Sequence, residues 1–326
     1  MSYDWTDNRK NLMLFAGRSH PELAEQVAKE LDVHVTAQTA RDFANGEIFV
    51  RFDESVRGCD AFVLQSHPAP VNQWLMEQLI MIDAAKRASA KNITAVCPYY
   101  GYARQDRKST GREPITAKLV ADLLQAAGAD RVISVDLHSG QIQGFFDLPF
   151  DHLTAAPVLE EYLRSRIADD VVIVAPDSGR VKVAERYASG LNADLALVHK
   201  RRPHGTYNQV EVRHVVGEVE DRHCVIIDDM IDTASTICAA AERLADSGAA
   251  EIWAMATHGV FSDPAADRLE KAPISRVVVT DTLPIPKDRQ FDKLEVLSVA
   301  KIIADAIYAV FEETSVSEIF GGANLV

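Results

Sequence analysis

The segment Cys224-Val-Ile-Ile-Asp-Asp-Met-Ile-Asp-Thr-Ala-Ser-Thr236 joins an apolar run to two acids and then to a turn rich in hydroxyl groups. Residues 225–227 predict a buried β-strand, and the apolar spacing that follows Thr236 predicts a helix. The segment is therefore a strand-turn-helix unit of the kind that builds α/β sheets. Because the first N–H groups of a helix lack intrahelical partners, this helix N-terminus suits a phosphate group.

The turn has the composition of a sugar-phosphate site. Small residues let a phosphate approach the backbone N–H groups, and two carboxylates at the strand end can accept hydrogen bonds from the vicinal hydroxyls of a ribose. An ordinary strand-to-helix turn, with Asp232 as the helix cap, is the alternative. The candidate sugar-phosphate site comprises Asp228, Asp229, Asp232, Thr233, Ala234, Ser235 and Thr236.

Short apolar runs and helical patterns alternate along the rest of the chain, which predicts an α/β protein with mainly parallel sheets flanked by helices. Helical spacing is found at residues 74–86 and 117–125. The predicted strands lie at residues 11–17, 61–65, 93–97, 131–135, 171–175, 193–199, 224–227, 252–256 and 277–280.

A weak internal sequence repeat suggests a duplicated unit. Thr116, Gly128 and His138 precede Thr236, Gly248 and His258 by a constant 120 positions. In each copy a helix begins near the threonine, ends at Gly-Ala and leads through an apolar strand to a histidine. Such self-similarity predicts two related domains.

The amino-acid composition limits the classes of protein to which the chain can belong. The chain has 326 residues, of which 47% are hydrophobic and 25% charged, and a net charge of −14. These values are typical of a globular enzyme and give no electrostatic footprint for nucleic acid. The sequence lacks an apolar run long enough for a membrane span and has a polar N-terminus, so we expect a cytoplasmic protein. The four cysteines form no C-x-x-C pair, which argues against zinc and structural disulfides.

No Walker or dinucleotide motif is present, so a nucleotide would need other binding elements. Phe43, Asn45, Gly46 and Glu47 form a turn in which the ring could stack on a purine and the polar edge could read its amino group; a Phe packed in the core is the alternative. Arg104 and Gln105 follow a strand and a Pro-Tyr-Tyr-Gly turn. This position favours nucleotide binding over a solvated basic face.

Three further groups follow predicted strands. His138 and Asp177 come after residues 131–135 and 171–175, so both are expected at a carboxyl edge of a sheet. A lone histidine is a poor Mg²⁺ ligand, and by itself His138 would be a core or capping residue. Lys200 and Arg202 stand in a basic run after residues 193–199, and the segment after Pro203 looks mobile. This loop could close over a polyphosphate, with the cations contacting its charges. The alternative is that the basic run is only the solvent-exposed end of a hairpin.

Several motifs, in the same order along nearly the whole chain, resemble class I ribose-phosphate pyrophosphokinases. Besides the segment at 224–236, they are Phe43-Ala-Asn-Gly-Glu47, Pro98-Tyr-Tyr-Gly-Tyr-Ala-Arg-Gln-Asp-Arg107, Asp136-Leu-His138, Gln141-Ile-Gln-Gly-Phe-Phe-Asp147, Pro176-Asp177 and Lys200-Arg-Arg-Pro203.

The resemblance implies two phosphoribosyltransferase-type domains, residues 1–155 with the ATP elements and 156–326 with the sugar loop, the C-terminal tail returning to the first domain. It implies diphosphoryl transfer from ATP to ribose 5-phosphate. It further implies Mg²⁺ held by His138 and Asp177, and Lys200 and Arg202 as catalytic residues. Phosphate activation, ADP inhibition and a hexameric assembly also follow from the resemblance alone.

The sequence departs from the family pattern at a few positions. Ala234-Ser235 stands where the family usually has Gly-Gly or Ala-Gly, so Ser235 adds a side chain at a place that often tolerates positive φ. Ser139-Gly140 and Pro203-His-Gly-Thr-Tyr207 also differ. Two rival functions remain open, a phosphoribosyltransferase that consumes the diphosphate and a catalytically silent ligand sensor; release of AMP from ATP separates both from the kinase.

Overall fold

The protein is represented by a computed structural model that describes residues 11–167, 170–201 and 212–320. The chain divides into two compact units. The first contains the described residues through Thr154 together with those from Ala300 onward, and the second is Ala155–Val299. Each unit is an α/β structure with a mainly parallel sheet.

The strands alternate with helices in chain order. The strands are β1 Leu12–Ala16, β2 Gln38–Asp42, β3 Ile48–Phe52, β4 Asp60–Leu64, β5 Asn92–Cys97, β6 Arg131–Val135, β7 Phe150–Leu153, β8 Val171–Ala175, β9 Asp194–Arg201, β10 Val212–Val216, β11 His223–Ile231, β12 Glu251–Gly259, β13 Arg276–Thr280 and β14 Leu294–Leu297. The α-helices are α1 Pro21–Glu30, α2 Val71–Arg87, α3 Thr116–Ala127, α4 Ala156–Arg166, α5 Val181–Leu191, α6 Ser235–Asp246, α7 Ala265–Lys271 and α8 Ala300–Phe311. Short 3-10 segments lie at Gly140–Phe145, Lys287–Arg289 and Val316–Phe320.

The first unit has a five-stranded parallel sheet in the order β1-β4-β5-β6-β7. Strands such as β4 and β5 are almost entirely buried, because helices pack against the sheet and a parallel sheet of this kind favours continuous runs of branched apolar residues. Strands β2 and β3 form a separate antiparallel hairpin that packs against α2. Helix α8, near the end of the chain, contacts α1.

The second unit has a seven-stranded sheet in the order β10-β9-β8-β11-β12-β13-β14. All neighbouring strands pair in parallel except β9 with β10, which are antiparallel. Strand β11 lies in the middle, between β8 and β12. Parallel strands present their carboxyl ends at one edge of a sheet, where α/β proteins place ligand sites.

The internal sequence repeat corresponds to similar local structures in the two units. Helices α3 and α6 begin at Thr116 and Ser235. Gly128 and Gly248, which follow the two helices, have φ of +120° and +84°, a conformation for which glycine is favoured at helix ends. Each helix then leads to a strand, β6 or β12.

Two bulk properties predicted from composition can be compared with the structure. The four cysteines are free and buried, as expected of thiols that pack as small hydrophobic groups. Throughout the described ranges, every helix is too short or too polar to cross a bilayer.

Candidate functional site

The two acids of the predicted sugar-phosphate site lie within strand β11, not after it. The strand runs to Ile231, and Asp228 still pairs with Ala256 of β12. On its other side, pairing with β8 ends at Ile226. The predicted strand end at residue 227 was therefore too early, because the paired neighbour β12 extends the strand past the charged residues. The acids consequently face the turn that follows β8.

The turn between β11 and α6 presents an uncapped helix N-terminus. Helix α6 begins at Ser235, one residue before the predicted start, and has no side-chain cap. The alternative of Asp232 as the cap is thus wrong. Ala234 is the buried N-cap residue and has the left-handed conformation, with φ of 60°. The positive φ considered for Ser235 therefore belongs to Ala234.

The hydroxyl groups of the turn lie next to one another at the start of α6. Thr233 Oγ1 and Ser235 Oγ are 3.3 Å apart, and Ser235 is exposed. Arg268 Nη1 donates to the Thr233 carbonyl oxygen at 2.8 Å, which fixes the turn from outside. Asp232 and Thr236 are both half-buried. The predicted phosphate-binding residues are thus adjacent at a helix N-terminus with a positive local potential.

A cation that sequence analysis missed holds the acid pair. Arg180 Nε lies 2.8 Å from Asp228 Oδ1, and Arg180 Nη2 lies 2.6 Å from Asp229 Oδ1. The backbone N–H of Asp229 also donates to Asp228 Oδ1, at 2.8 Å. Burial, reinforced by the Asp229 carboxylate, raises the pKa of Asp228 to about 8, and Arg180 opposes this shift. The signal in the sequence was a basic residue three positions after Asp177, at the same sheet edge.

The candidate purine-binding turn is the loop of the β2–β3 hairpin. The Phe43 side chain is 41% exposed, which excludes the alternative of a core phenylalanine. Its ring meets Phe49 edge-to-face at 6.0 Å between centroids, and the Arg41 guanidinium lies 4.8 Å from its centroid. An exposed ring held between two neighbours is a preorganised stacking surface.

The polar residues of the hairpin loop fix its shape. The Phe43 N–H donates to the Glu47 carbonyl oxygen at 2.7 Å, and the Gly46 N–H donates to the Phe43 carbonyl oxygen at 2.8 Å. Asn45 Oδ1 accepts from the Glu47 N–H at 3.2 Å. Gly46 has φ of +88°, which a side chain would strain. The four predicted residues therefore form one compact, exposed loop.

Arg104 and Gln105 lie in a second exposed turn of the first unit, after β5. Gln105 is anchored to the start of α3, because its side-chain Oε1 accepts from Thr116 Oγ1 at 2.5 Å and its carbonyl oxygen accepts from the Ala117 N–H. Gln105 has an additional structural role that sequence analysis did not foresee.

His67, another residue that sequence analysis missed, supports this turn from below. Its Nδ1 accepts from the Gly101 N–H at 3.0 Å, and its Nε2 lies 2.9 Å from Gln78 Oε1. Burial lowers the pKa of the imidazole to about 4. The ring therefore stays neutral and keeps one nitrogen as an acceptor for the turn. The sequence offered only a histidine shortly after strand β4.

The predicted metal ligands His138 and Asp177 belong to different units. Each is half-buried and follows the carboxyl end of a strand, β6 or β8. Asp177 Oδ1 accepts from the Gly179 N–H at 2.8 Å. Within the described ranges, His, Cys, Asp and Glu side chains form no group of three or more that could hold a metal ion. Mg²⁺ commonly binds proteins through one or two carboxylates with water and substrate phosphates, so Asp177 fits such a role.

Of the two predicted catalytic cations, Lys200 lies within the described residues of the second unit. Lys200 belongs to strand β9 and pairs with Arg213 of β10 in the backbone register. Arg202 lies outside the described residues, as does the rest of the predicted loop through Gln209.

Comparison with known families matches both parts of the chain. Residues 12–128 match the model for the N-terminal domain of ribose phosphate pyrophosphokinase. Residues 210–321 match the model for the phosphoribosyl synthetase-associated domain.

Individual relatives are similar over almost the full length. A ribose-phosphate pyrophosphokinase of Mycobacterium tuberculosis is 63% identical over 324 residues, covering 99% of each chain. One from Streptomyces avermitilis is 56% identical over 316 residues, covering 97% of this chain and 98% of the relative. The crystal structure of phosphoribosylpyrophosphate synthetase from Mycobacterium smegmatis superposes with a TM-score of 0.89 at 62% identity, covering 93% of this chain and 100% of that one.

Proposed function

The chain belongs to the ribose-phosphate pyrophosphokinase family, and we propose that it transfers the diphosphoryl group of ATP to the 1-hydroxyl of D-ribose 5-phosphate. The anomeric oxygen attacks the β-phosphorus, and the bond from that phosphorus to the oxygen bridging the α-phosphorus breaks. The products are AMP and 5-phosphoribosyl 1-diphosphate. Such an activity supplies a precursor for nucleotide synthesis.

The observation that carries the proposal is the end of β11 and the turn that joins it to α6, where two carboxylates of the strand precede an uncapped helix N-terminus. The N–H groups at the start of α6 and the hydroxyl groups of Thr233, Ser235 and Thr236 would bind the 5-phosphate. Asp228 and Asp229 would accept hydrogen bonds from the 2- and 3-hydroxyls of the ribose. Asp232 completes the acidic rim of the turn.

The first unit would hold ATP. The exposed ring of Phe43 offers its face to adenine, and the rigid Asn45–Gly46–Glu47 loop offers backbone and side-chain groups to the base edge. Arg104 and Gln105, after β5, would contact the nucleotide at the carboxyl edge of the sheet. Arg104 contributes positive charge suited to a phosphate.

The chemistry asked of the protein is mainly positioning and charge stabilisation. Lys200 and Arg202 would neutralise the charge that spreads over the diphosphoryl oxygens during transfer. Asp177 and His138 are each proposed as Mg²⁺ ligands, and Mg²⁺ would add to that neutralisation and shield the polyphosphate. The sugar turn and the nucleotide elements would align the reactants, which by itself contributes much of the rate enhancement.

The family resemblance also supports finer properties of the protein. We propose a homo-oligomer, a hexamer as in the family, with activation by phosphate and inhibition by ADP. We further propose that the enzyme acts in the cytoplasm and has no nucleic-acid or membrane partner, in keeping with its net charge of −14.

One assay tests the function: formation of AMP from ATP and Mg²⁺, with and without ribose 5-phosphate. We expect AMP only when the sugar is present, in equal amount with 5-phosphoribosyl 1-diphosphate. A phosphoribosyltransferase would consume that product with a base and release no AMP. A silent sensor would bind the ligands without turnover.

A further inference from the structure

We propose that Arg180 is a positioning residue that sets the recognition of the ribose hydroxyls. In this role its guanidinium acts as a built-in counter-ion, which holds Asp228 and Asp229 in the orientation that accepts a vicinal diol. The inference rests on the proposed function of the acid pair.

The contacts of Arg180 are those of a clamp. Two different nitrogens of its planar guanidinium reach two different carboxylates, at 2.8 and 2.6 Å. The three side chains are only 15%, 13% and 7% exposed, so water competes little for these contacts. A planar fork of this kind fixes both distance and direction, which the single ammonium of a lysine does not.

The backbone of Arg180 is itself fixed. Its N–H donates to the Asp177 carbonyl oxygen at 3.2 Å, and its carbonyl oxygen accepts the Ala184 N–H at 2.9 Å in the first turn of α5. The Asp177 carboxylate also accepts the Gly179 N–H. The clamp is therefore mounted on a rigid strand-to-helix turn, and it transmits that rigidity to the acids on β11.

Charge balance explains why the pair needs the clamp. Two neighbouring buried carboxylates repel each other and lose hydration, and either effect favours protonation or rotation away from the sugar. One guanidinium compensates one of the two negative charges. Without it, the pair would be less able to accept hydrogen bonds from two hydroxyls at once.

This role predicts an effect on the diol and not on the phosphate, because the 5-phosphate site at the start of α6 makes no use of Arg180. Sugar specificity is therefore the informative readout. A site built to bind a hydroxyl discriminates strongly against the analogue that lacks it. Ribose 5-phosphate and 2-deoxyribose 5-phosphate differ by one such hydroxyl.

The experiment compares wild type, Arg180→Gln, Arg180→Lys and Lys182→Gln by the AMP assay. Lys182 is an exposed residue of α5, so its variant repeats the change in charge two positions away. For each protein, KM for ribose 5-phosphate, KM for ATP, kcat and the Ki of 2-deoxyribose 5-phosphate as a competitor are measured. We expect Arg180→Gln to raise KM for ribose 5-phosphate about tenfold or more, judged from the loss of one partner in a buried charge pair.

In Arg180→Gln, kcat, KM for ATP and the Ki of the deoxy sugar should change by less than about threefold, so discrimination between the two sugars collapses. The ratio of Ki to KM for Arg180→Lys should lie between those of Arg180→Gln and wild type. The ratio for Lys182→Gln should equal that of wild type. An unchanged ratio of Ki to KM in a folded Arg180→Gln overturns the inference, and so does an equal loss in Lys182→Gln. If Arg180→Gln does not fold, the ratio in Arg180→Lys decides in the same way. Absence of AMP formation by the wild type would instead overturn the proposed function.

Discussion

Replacing Asp228 with asparagine should abolish part of the pH dependence of folding stability. In the folded protein, burial and the neighbouring Asp229 carboxylate raise the pKa of Asp228 from 3.8 to about 8. Between these pH values the folded state holds a proton that the unfolded chain has released. The free energy of unfolding therefore falls as pH rises through this window, and the contribution of Asp228 is fully present only below it.

The size of the effect follows from one proton. A single proton of difference changes the free energy of unfolding by at most about 1.4 kcal/mol per pH unit. From pH 5 to pH 7, wild type should lose up to about 3 kcal/mol relative to Asp228→Asn. The two proteins should be nearly equal only below pH 3.8, where Asp228 is protonated in both states and resembles asparagine in shape and charge; at pH 5, inside the window, wild type should already be the less stable of the two.

Urea unfolding at pH 5, 6, 7 and 8 measures this difference directly. Asp267→Asn, which removes an exposed acid on α7 of the same unit, is the matched control and should follow wild type. Parallel pH profiles for wild type and Asp228→Asn would refute the reasoning, since they would mean that Asp228 is ionised throughout the range. A loss of stability in the variant at every pH would point to a structural role for the carboxylate instead.

Four further predictions concern other parts of the site. Lys200→Ala and Arg202→Ala should each lower kcat in the AMP assay roughly 100-fold or more, with little change in KM for ribose 5-phosphate; turnover within a few fold of wild type would contradict their catalytic role. Phe43→Ala should weaken a non-hydrolysable ATP analogue by about 1–3 kcal/mol in calorimetry, and unchanged affinity would exclude stacking. Ala234→Gly should raise the free energy of unfolding by no more than about 1 kcal/mol, because relief of the left-handed backbone is offset by the freedom of the unfolded chain. Ser235→Gly, at an exposed helical position, should not stabilise the protein in the same urea titration; a larger gain than for Ala234→Gly would be inconsistent with the turn geometry.

The α/β architecture could be predicted because buried parallel strands have continuous apolar sequences. The cores of β5, β8 and β13 coincide with predicted strands. The hairpin β2–β3 was not predicted as strands, because its residues are mostly polar or half-buried and only its loop carried a signal. Its position depends on long-range contacts, such as Arg18 with Asp42 and Glu77, which a local pattern does not reveal.

In the candidate site, too, features that are contiguous in sequence could be predicted and contacts between distant residues could not. The acids and the helix start of the sugar turn are contiguous in sequence, so their adjacency could be predicted. Arg180 lies 48 positions before Asp228, and only the pairing of β8 with β11 brings them together. Likewise, the contact of His67 with Gly101 depends on neighbouring strands β4 and β5. The sequence did not reveal that Ala234 is the left-handed residue of the turn, because backbone dihedrals depend on how β11 meets α6.

The position of the acids on β11 has a consequence for hydrogen exchange. Strand β11 is flanked by three strands on either side in the seven-stranded sheet, so its backbone amides should open to solvent only with the unit as a whole. The β2–β3 hairpin has two strands and an exposed loop, and its amides should exchange through local opening. A sugar that meets an already ordered strand would add little protection there, whereas a nucleotide on the hairpin would slow exchange visibly. Amide exchange can thus report occupancy of the two ligand elements separately, without turnover.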